Sequence, residues 1–432
     1  MKFIIYLSLL LGFHANGFQL QGDQPSILDN WAKKTTDSHK MASINAAFAF
    51  RFYKHIAADV ADRNVFFSPV GLSTAFAMLA LGAESETKSH IYKGLGFNLS
   101  EFEESEIQKG FQHLLHNRPY IKPNETIWTE AEVKIGNALF IEESLKVLPK
   151  FSEDIKKRYD AEVLYCNFDN STAALKQMND YVHNKTDGEI ARVVEGLEPK
   201  TTLVFLNFIT FTAEWKLAFD TASIREEDFF VNESKTVKVN LMHQESYYKF
   251  LHDEVLSCWV VEIPFRGDGI AETYKGDSIV ALFILPDEGK LKHLEGALTE
   301  EAITKWTSSF ASSAYDELHL YIPKFSISAS YDVKDVFQGM GMTDAFNDRA
   351  DLSGITGEHN LKAPKVIHHA VLHLRESGTE TSVVTTVWSK KTFPPVSPPP
   401  TLKFNRTFLM VIVELETNNF VFMAKVVDPT EG

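Results

Sequence analysis

The sequence predicts an α+β fold with large mixed β-sheets and surrounding helices. Strand-type and helix-type segments alternate irregularly along the 432 residues, with no internal repeat and no βαβ rhythm. Hydrophobic residues make up 44% of the chain, which is enough for a sizeable core. Length alone is compatible with two domains or one large one. Because no linker rich in Pro, Gly or Ser divides the chain before residue 390, we expect a single domain over residues 18–432.

Residues 1–17 have the pattern of a secretory signal peptide. Lys2 precedes the apolar run Phe3–Phe13, and the small residues Ala15–Gly17 close the segment. The run is too short to span a bilayer, and no later stretch is both long and free of charge. We therefore expect cleavage before Phe18 and a soluble, secreted protein that does not enter a membrane.

Helix and strand patterns follow one another through the first half of the mature chain. Apolar residues at helical spacing predict a helix over Met41–Asp59. An almost wholly apolar run predicts a buried helix over Leu72–Gly82, which the chain enters through Ser68 and Pro69. Further helices are predicted over Glu104–His116, Leu148–Tyr159 and Ser171–Thr186, a strand over Val133–Ile141, a buried central strand over Thr201–Thr212, and a turn-rich surface insertion over Asn117–Thr129.

The second half of the chain is rich in strand patterns. β-branched and aromatic residues recur there in short runs, as is typical of strands. The predicted strands are Val237–Leu241, Ser257–Ile263, Ile279–Leu285, Glu317–Ile322, Val366–Leu374 and Thr407–Glu416.

Charge and cysteine content exclude several classes of protein. The formal net charge of −15 argues against nucleic-acid binding and against a broad heparin-binding surface. With only two cysteines, Cys166 and Cys258, the chain is not a disulfide-stapled scaffold. Cys258 lies in the apolar run Leu256–Ile263, which favours a buried free thiol over a disulfide between the two.

Six Asn-X-Ser/Thr triplets agree with passage through the secretory pathway. The predicted N-glycosylation positions are Asn98, Asn124, Asn170, Asn184, Asn232 and Asn405.

Sequence motifs for catalysis or for a cofactor are absent. The chain contains no GxSxG, no HExxH, no P-loop and no GxGxxG after a strand. His368, His369 and His373 cluster in one predicted strand, but the two that share a face are too far apart for easy chelation. We expect structural histidines, no metal, no cofactor and no enzymatic activity.

The segment after residue 375 combines a stretch with a strand pattern and a proline-rich stretch that cannot pair in a sheet. Thr381–Val387 is a β-branched run whose alternate residues, from Thr379 to Val387, are compact and uncharged. Lys390 and Lys391 follow, and then prolines that cannot donate ladder hydrogen bonds. The residues alone allow two interpretations: an edge strand with a surface linker, or a protease-cleavable segment whose upstream half can join a sheet.

Several stretches of this chain resemble the serpin family, and most closely its plasma group of antitrypsin, antichymotrypsin and the hormone-binding globulins. The resemblance covers nearly all of the mature chain. It is carried by NVFFSPVGLSTAFAMLALGA at Asn64–Ala83, FLNFITFTAEW at Phe205–Trp215, LHLYIPKFSISASYDV at Leu318–Val333, the hinge at Gly378–Glu380, Phe404–Arg406, and the terminal FVFMAKVVDPTEG.

This resemblance implies an exposed reactive-centre loop at about 376–403, above a five-stranded sheet. In an inhibitory serpin a serine protease attacks the loop, and the loop then inserts into the sheet as an extra strand, an established example of strand addition. The hinge residues would be Glu376, Gly378, Thr379 and Glu380. Residues at the top of the sheet would be Lys324, paired with Glu376, and Trp215, while Ser68, Asn207 and His368 would form a polar cluster under the strands that separate.

Two alignments of the loop place the reactive bond differently. Counting forward from Gly378 by the usual inhibitory length gives Thr392-Phe393, and aligning backward from Phe404 gives Val396-Ser397. Insertion favours the first, because the second would draw prolines into a sheet interior that requires backbone donors. Lys391 adds a neighbouring trypsin-type cleavage position.

Two functions of different class remain open at this point. The first is a secreted, monomeric inhibitor of a serine protease. Inhibitory hinges usually carry small residues, often Ala, where this chain has Thr381–Val384, and bulkier side chains would slow insertion. Slow insertion favours a second function, that of a non-inhibitory serpin that carries a small hydrophobic hormone. The stretch Phe250–Phe265 supports this function, because it also resembles steroid- and thyroxine-binding members.

Overall fold

The computed structural model describes residues 27–60, 62–116, 131–199, 201–265, 279–347, 349–359, 361, 365–375 and 398–431. The chain separates into two compact units, residues 1–37 and 38–432. In the first unit, residues 27–37 are helical. The two sheets described next belong to the second unit.

A five-stranded mixed sheet has the strand order β10-β11-β4-β2-β3. Its second and third strands, β11 and β4, run parallel over eleven residue pairs, from Lys365 opposite Val204 to Arg375 opposite Glu214. The other neighbours are antiparallel, except that β2 and β3 are parallel. The strands are β2 (Ala131–Glu142), β3 (Glu162–Cys166), β4 (Leu203–Glu214), β10 (Ser326–Asp332) and β11 (Lys365–Arg375).

A nine-stranded sheet follows the path β1-β14-β13-β8-β7-β6-β9-β12, with β5 paired to β6. The long strand β6 pairs with β5 and β9 through its first part and with β7 through its end. Its strands are β1 (Val65–Phe67), β5 (Arg225–Phe230), β6 (Thr236–Asp253), β7 (Cys258–Pro264), β8 (Ile279–Pro286), β9 (Asp316–Pro323), β12 (Thr401–Lys403), β13 (Phe408–Glu414) and β14 (Asn419–Val426).

Helices pack against these sheets in the second unit, to which the first helix contributes only from residue 38 onward. They are α1 (Ile27–Asp59), α2 (Pro69–Gly82), α3 (Ser85–Leu95), α4 (Glu104–His116), α5 (Pro149–Tyr159), α6 (Ser171–Lys185), α7 (Leu291–Ala297), α8 (Glu300–Ser312), α9 (Lys334–Gly339) and α10 (Ser353–Thr356), with short 3₁₀ turns at Thr221–Ser223 and Asp344–Phe346. In the part of the chain that the structure describes, no helix is long and apolar enough to cross a membrane.

Both faces of the central strand β4 are buried. Leu206 and Phe208 pack with Met178 and Val182 of α6 on one face. Phe205, on the opposite face, packs in the main helical core with α2. A strand covered on both sides reads as a continuous apolar run, as the sequence pattern predicted.

The prediction of a buried free thiol at Cys258 is confirmed. Cys166 and Cys258 are both unpaired and buried. Burial, with nearby carboxylates, raises the pKa of Cys166 to about 11 and that of Cys258 to about 12. Both thiols therefore stay protonated and unreactive near neutral pH.

Candidate functional site

A row of polar side chains crosses the five-stranded sheet at one level. The register places His368 of β11 between Tyr331 of β10 and Asn207 of β4, and Asn207 beside Asn137 of β2. We call these four residues the polar row. Its members Asn137, Asn207 and His368 are at most 2% exposed, although the surrounding strands are apolar. Buried polar groups of this kind must satisfy one another.

The hydrogen bonds of the polar row form a chain in which each donor lies on the side of Ser68 and each acceptor on the side of Asn137. The backbone N–H of Ser68 donates to Nε2 of His368 at 3.0 Å. Because Nε2 accepts, the ring proton lies on Nδ1, which donates to Oδ1 of Asn207 at 2.6 Å. Nδ2 of Asn207 then donates to Oδ1 of Asn137 at 2.8 Å. The His368–Asn207 bond is the side-chain link across the junction of β11 and β4, which we call the seam.

The N-terminus of α2 is attached to the same level of the sheet. Oγ of Ser68 accepts from the N–H of Gly71 as the helix cap, and donates to the carbonyl of Val421 in β14 at 2.8 Å. A Cβ on Gly71 would lie 2.6 Å from Oδ1 of Asn207. Glycine is required there because the helix backbone approaches the seam this closely.

Burial keeps His368 neutral. Desolvation, with a smaller contribution from His369, lowers the pKa of His368 from 6.5 to about 3. A neutral ring is also what the hydrogen bonds require, because a protonated Nε2 could not accept from Ser68.

Stability should fall as the pH is lowered from 6.5 towards 3. The unfolded chain takes up a proton on His368 near pH 6.5, whereas the folded protein resists protonation until about pH 3. The unfolded state binds more protons across that window, so the free energy of unfolding decreases by up to ~5 kcal/mol. Denaturant midpoints of the first unfolding transition, taken from about pH 7 to about pH 4, should show about 3 kcal/mol of this decrease.

A His368→Gln variant is the matched control, because an amide can also accept from Ser68 and donate to Asn207. Its midpoint should depend less steeply on pH. The remaining slope should include His369, whose pKa burial lowers to about 4. An unchanged slope in the variant would show that His368 does not carry the effect.

Trp215 lies at the end of the seam where β4 finishes. Its side chain is 2% exposed, and its ring stacks on Phe265 with a centroid distance of 5.0 Å. Phe283 and Phe219 complete the aromatic cluster at 5.9 and 6.3 Å. Its indole Nε1 is buried and has no hydrogen-bond partner among the described residues.

Lys324 lies at the same end of the sheet, just before β10. Its backbone N–H donates to the carbonyl of Asn240 at 2.8 Å. With Ser326, His373 and Thr430 it lines an open cavity of about 600 Å³. Its predicted partner Glu376 lies outside the described residues, so their ion pair stays a prediction.

The predicted reactive loop joins the two sheets. Its upstream end follows Arg375, the last residue of β11 in the five-stranded sheet. Its last three predicted residues, 401–403, form β12 and pair parallel with β9 in the other sheet, so the loop is shorter at this end than predicted. The hinge residues Glu376, Gly378, Thr379 and Glu380, and the reactive-bond candidates Lys391, Thr392, Phe393, Val396 and Ser397, lie outside the described residues.

The structure brings Ser68, Asn207 and His368 into one hydrogen-bonded group. That these residues act where the strands separate stays a prediction. Sequence reasoning missed Asn137 and Gly71, which contact the same group. A signal was present for Asn137, since it is an uncharged polar residue in the middle of the predicted strand Val133–Ile141.

The neighbouring histidines also have local partners. Nε2 of His369 lies 3.3 Å from Oγ of Ser328, and Nδ1 of His373 lies 3.1 Å from Oγ of Ser326. These hydroxyl contacts fit the structural role expected for both rings.

The predicted glycosylation positions are mostly accessible. Asn98, Asn170, Asn184 and Asn232 are exposed, while Asn405 is half-buried and its carbonyl accepts from the N–H of Phe230. Asn124 lies outside the described residues. Modification at all six stays a prediction.

Comparison with known proteins identifies the family. The family model described as Serpin (serine protease inhibitor) matches residues 43–429. Thyroxine-binding globulin of Sus scrofa is 39% identical over 432 residues, which is 100% of this chain and 99% of that protein. Alpha-1-antiproteinase 2 of Equus caballus is 41% identical over 393 residues, covering 91% of this chain and 88% of the relative.

Solved structures agree with this comparison. A crystal structure of human thyroxine-binding globulin complexed with thyroxine superposes with a TM-score of 0.80 at 37% identity, covering 91% of this chain and 100% of that one. The α+β fold, with its mixed sheets, is that of these neighbours. The chain belongs to the serpin family and to its plasma group.

Proposed function

We propose that this serpin is a secreted inhibitor of a serine protease that acts as a suicide substrate. The observation that carries the proposal is the seam: two parallel central strands, β4 and β11, with the predicted reactive loop starting where β11 ends. A chain that leaves β11 and folds back between the two would run antiparallel to both. One parallel ladder would then be replaced by two antiparallel ladders, which are slightly more stable per residue.

Insertion requires the seam to open at the polar row. Opening breaks the bond between Nδ1 of His368 and Oδ1 of Asn207. Each side chain keeps another partner, since Nε2 of His368 still accepts from Ser68 and Asn207 still donates to Asn137. The polar row can therefore divide at one bond without leaving either side chain wholly unsatisfied.

The loop residues have distinct roles in this mechanism. Glu376, Gly378, Thr379 and Glu380 form the hinge that enters the sheet first. The protease serine attacks the carbonyl carbon of Thr392, the bond to the nitrogen of Phe393 breaks, and Phe393 leaves as a new N-terminus. Insertion then moves the acyl-enzyme away from the loop's original position. Lys391, or the Val396-Ser397 bond, is the alternative cleavage position.

The serpin itself contributes no catalytic group and needs no cofactor in this proposal. It acts as a monomer, is secreted after removal of residues 1–17, and carries glycans at some of its six triplets. The names of its relatives support a protease or a small hydrophobic hormone as the partner.

The test is to mix the secreted protein with trypsin, chymotrypsin and elastase and to separate the products on a denaturing gel. We expect a stable complex of higher mass with one of these proteases and a released C-terminal peptide that begins at Phe393. A peptide that begins at Thr392 or Ser397 would move the reactive bond. Clean cleavage without a complex, and without a gain in thermal stability, would refute the insertion mechanism.

A second candidate function is transport of a small hydrophobic hormone. It is favoured by the full-length relation to a thyroxine-binding globulin. Saturable binding of thyroxine or cortisol by a protein that forms no protease complex would support it. Such a result would replace inhibition as the proposed function.

A further inference from the structure

Three potential metal ligands meet on the outer face of strands β6 and β9. His243 and Glu245 are two residues apart on β6, so their side chains point to the same side of the sheet. The antiparallel register places His319 of β9 opposite Glu245, and Tyr321 opposite His243. We call His243, Glu245 and His319 the His-Glu-His cluster.

Distances within the His-Glu-His cluster approach those of a metal site. Oε1 of Glu245 lies 3.2 Å from Nδ1 of His319 and 3.9 Å from Nε2 of His243. One potential ligand atom from each of the three residues lies within 4.8 Å of the others. Ligand atoms around tetrahedral zinc are roughly 3.2–3.5 Å apart, given bond lengths of about 2.0–2.2 Å. Small side-chain rotations, led by the exposed Glu245, would close this difference.

His243 is already oriented as a ligand. Its ring stacks on Tyr321 with a centroid distance of 4.1 Å and an angle of 12° between the planes. Its Nε2 is buried and has no hydrogen-bond partner in the described part of the chain. A buried polar atom without a partner requires an explanation, and this nitrogen lies 3.9 Å from the Glu245 carboxylate, so a metal ion between them would supply the missing partner.

We propose that the His-Glu-His cluster binds one divalent transition-metal ion, zinc in particular. Two imidazole nitrogens and one carboxylate oxygen form a ligand set suited to zinc, whereas calcium and magnesium prefer oxygen alone. Glu245 is 58% exposed, so a fourth position remains open to water. This site is separate from the histidines of β11, and it departs from the expectation drawn from the sequence that the chain binds no metal.

Metal binding here would act on the downstream anchor of the reactive loop. The backbone N–H of His319 donates to the carbonyl of Pro400 at 3.0 Å, and His319 is in register with Thr401 of β12. A metal that links β6 to His319 therefore holds the strand on which the chain pairs after the loop. This inference does not depend on whether the serpin inhibits a protease or carries a hormone.

Titration of the full-length, metal-free protein with Zn²⁺ tests the site, with Co²⁺ as a spectroscopic probe. We expect one Zn²⁺ per chain by calorimetry, and visible Co²⁺ bands of the intensity of a four-coordinate ion. His243→Ala, Glu245→Ala and His319→Ala should each weaken Zn²⁺ binding at least about tenfold, the lower limit for loss of even an outer partner of a metal ligand.

The matched control is His252→Ala, which removes another histidine of β6 whose Nε2 lies 2.9 Å from Asp287. It should bind Zn²⁺ with the affinity of the unaltered protein. Glu245→Ala alters an exposed side chain, so it should remain folded even if a histidine variant does not. Absence of Zn²⁺ binding by the unaltered protein, or equal affinity in Glu245→Ala, would overturn the proposal.

Discussion

Under the proposed inhibitory mechanism, replacing Thr385 with arginine is expected to convert the protein from an inhibitor into a substrate. With period 2, Thr385 shares the compact, uncharged face of Thr379, Thr381, Val383 and Val387, and in the proposed insertion this face would turn inward. Insertion would bury an unpaired charge, which costs several kcal/mol. A cost of about 3 kcal/mol at the insertion step lowers its rate roughly 100-fold, so the acyl-enzyme hydrolyses first. The ratio of complex to cleaved serpin on a denaturing gel measures the effect.

Thr386→Arg is the matched control for this prediction, because it places the same charge one residue later, on the opposite face of the strand. It should retain most of the complex that the unaltered protein forms. If Thr385→Arg formed as much complex as Thr386→Arg, the predicted inward face of the loop would be wrong. Loss of the protease complex to the same extent in both variants would also contradict the assignment of Thr385 and Thr386 to opposite faces of the strand.

Trp215→Ala is expected to cause the largest loss of stability among single changes in the described site. Removal of this 2% exposed ring leaves a cavity between Phe265, Phe283 and Phe219. Truncation of a buried tryptophan to alanine typically costs about 3–5 kcal/mol. Denaturant unfolding, followed at the first transition, should show a lower midpoint with little change in slope.

Trp215→Phe separates the ring from its N–H group. The indole Nε1 has no partner among the described residues, so phenylalanine removes an unsatisfied donor and keeps an aromatic ring in the cluster. We expect a loss of about 1–2 kcal/mol, smaller than that of alanine, because the smaller ring leaves only part of the cavity. A loss as large as that of alanine would indicate that Nε1 has a partner in the segments beyond those described.

Continuous apolar runs were reliable guides to buried elements. Leu72–Gly82 predicted a buried helix and Thr201–Thr212 a buried central strand, and the structure has α2 and β4 at these positions. Such runs are informative because a segment that is apolar on every side has to be covered on every side.

Charged or polar strands were missed for the opposite reason. The strand β5 (Arg225–Phe230) begins with four charged residues, and only Phe229 is buried, so no alternation marks it. The strand β6 extends to Asp253, far beyond the predicted Val237–Leu241. Pairing with β9 and β7 holds these residues extended, and partners of this kind are distant in sequence.

The sequence by itself determined the fold class, the family resemblance, and the buried helix and central strand, and the resemblance implied that Ser68, Asn207 and His368 lie in one polar cluster. Local patterns and family motifs carry that information because it resides in the order of residues. Only the tertiary structure decided that Asn137 completes the polar row and that His243, Glu245 and His319 meet. Those contacts depend on which strands are neighbours and in which register, and a shift of one residue would turn every side chain to the other face.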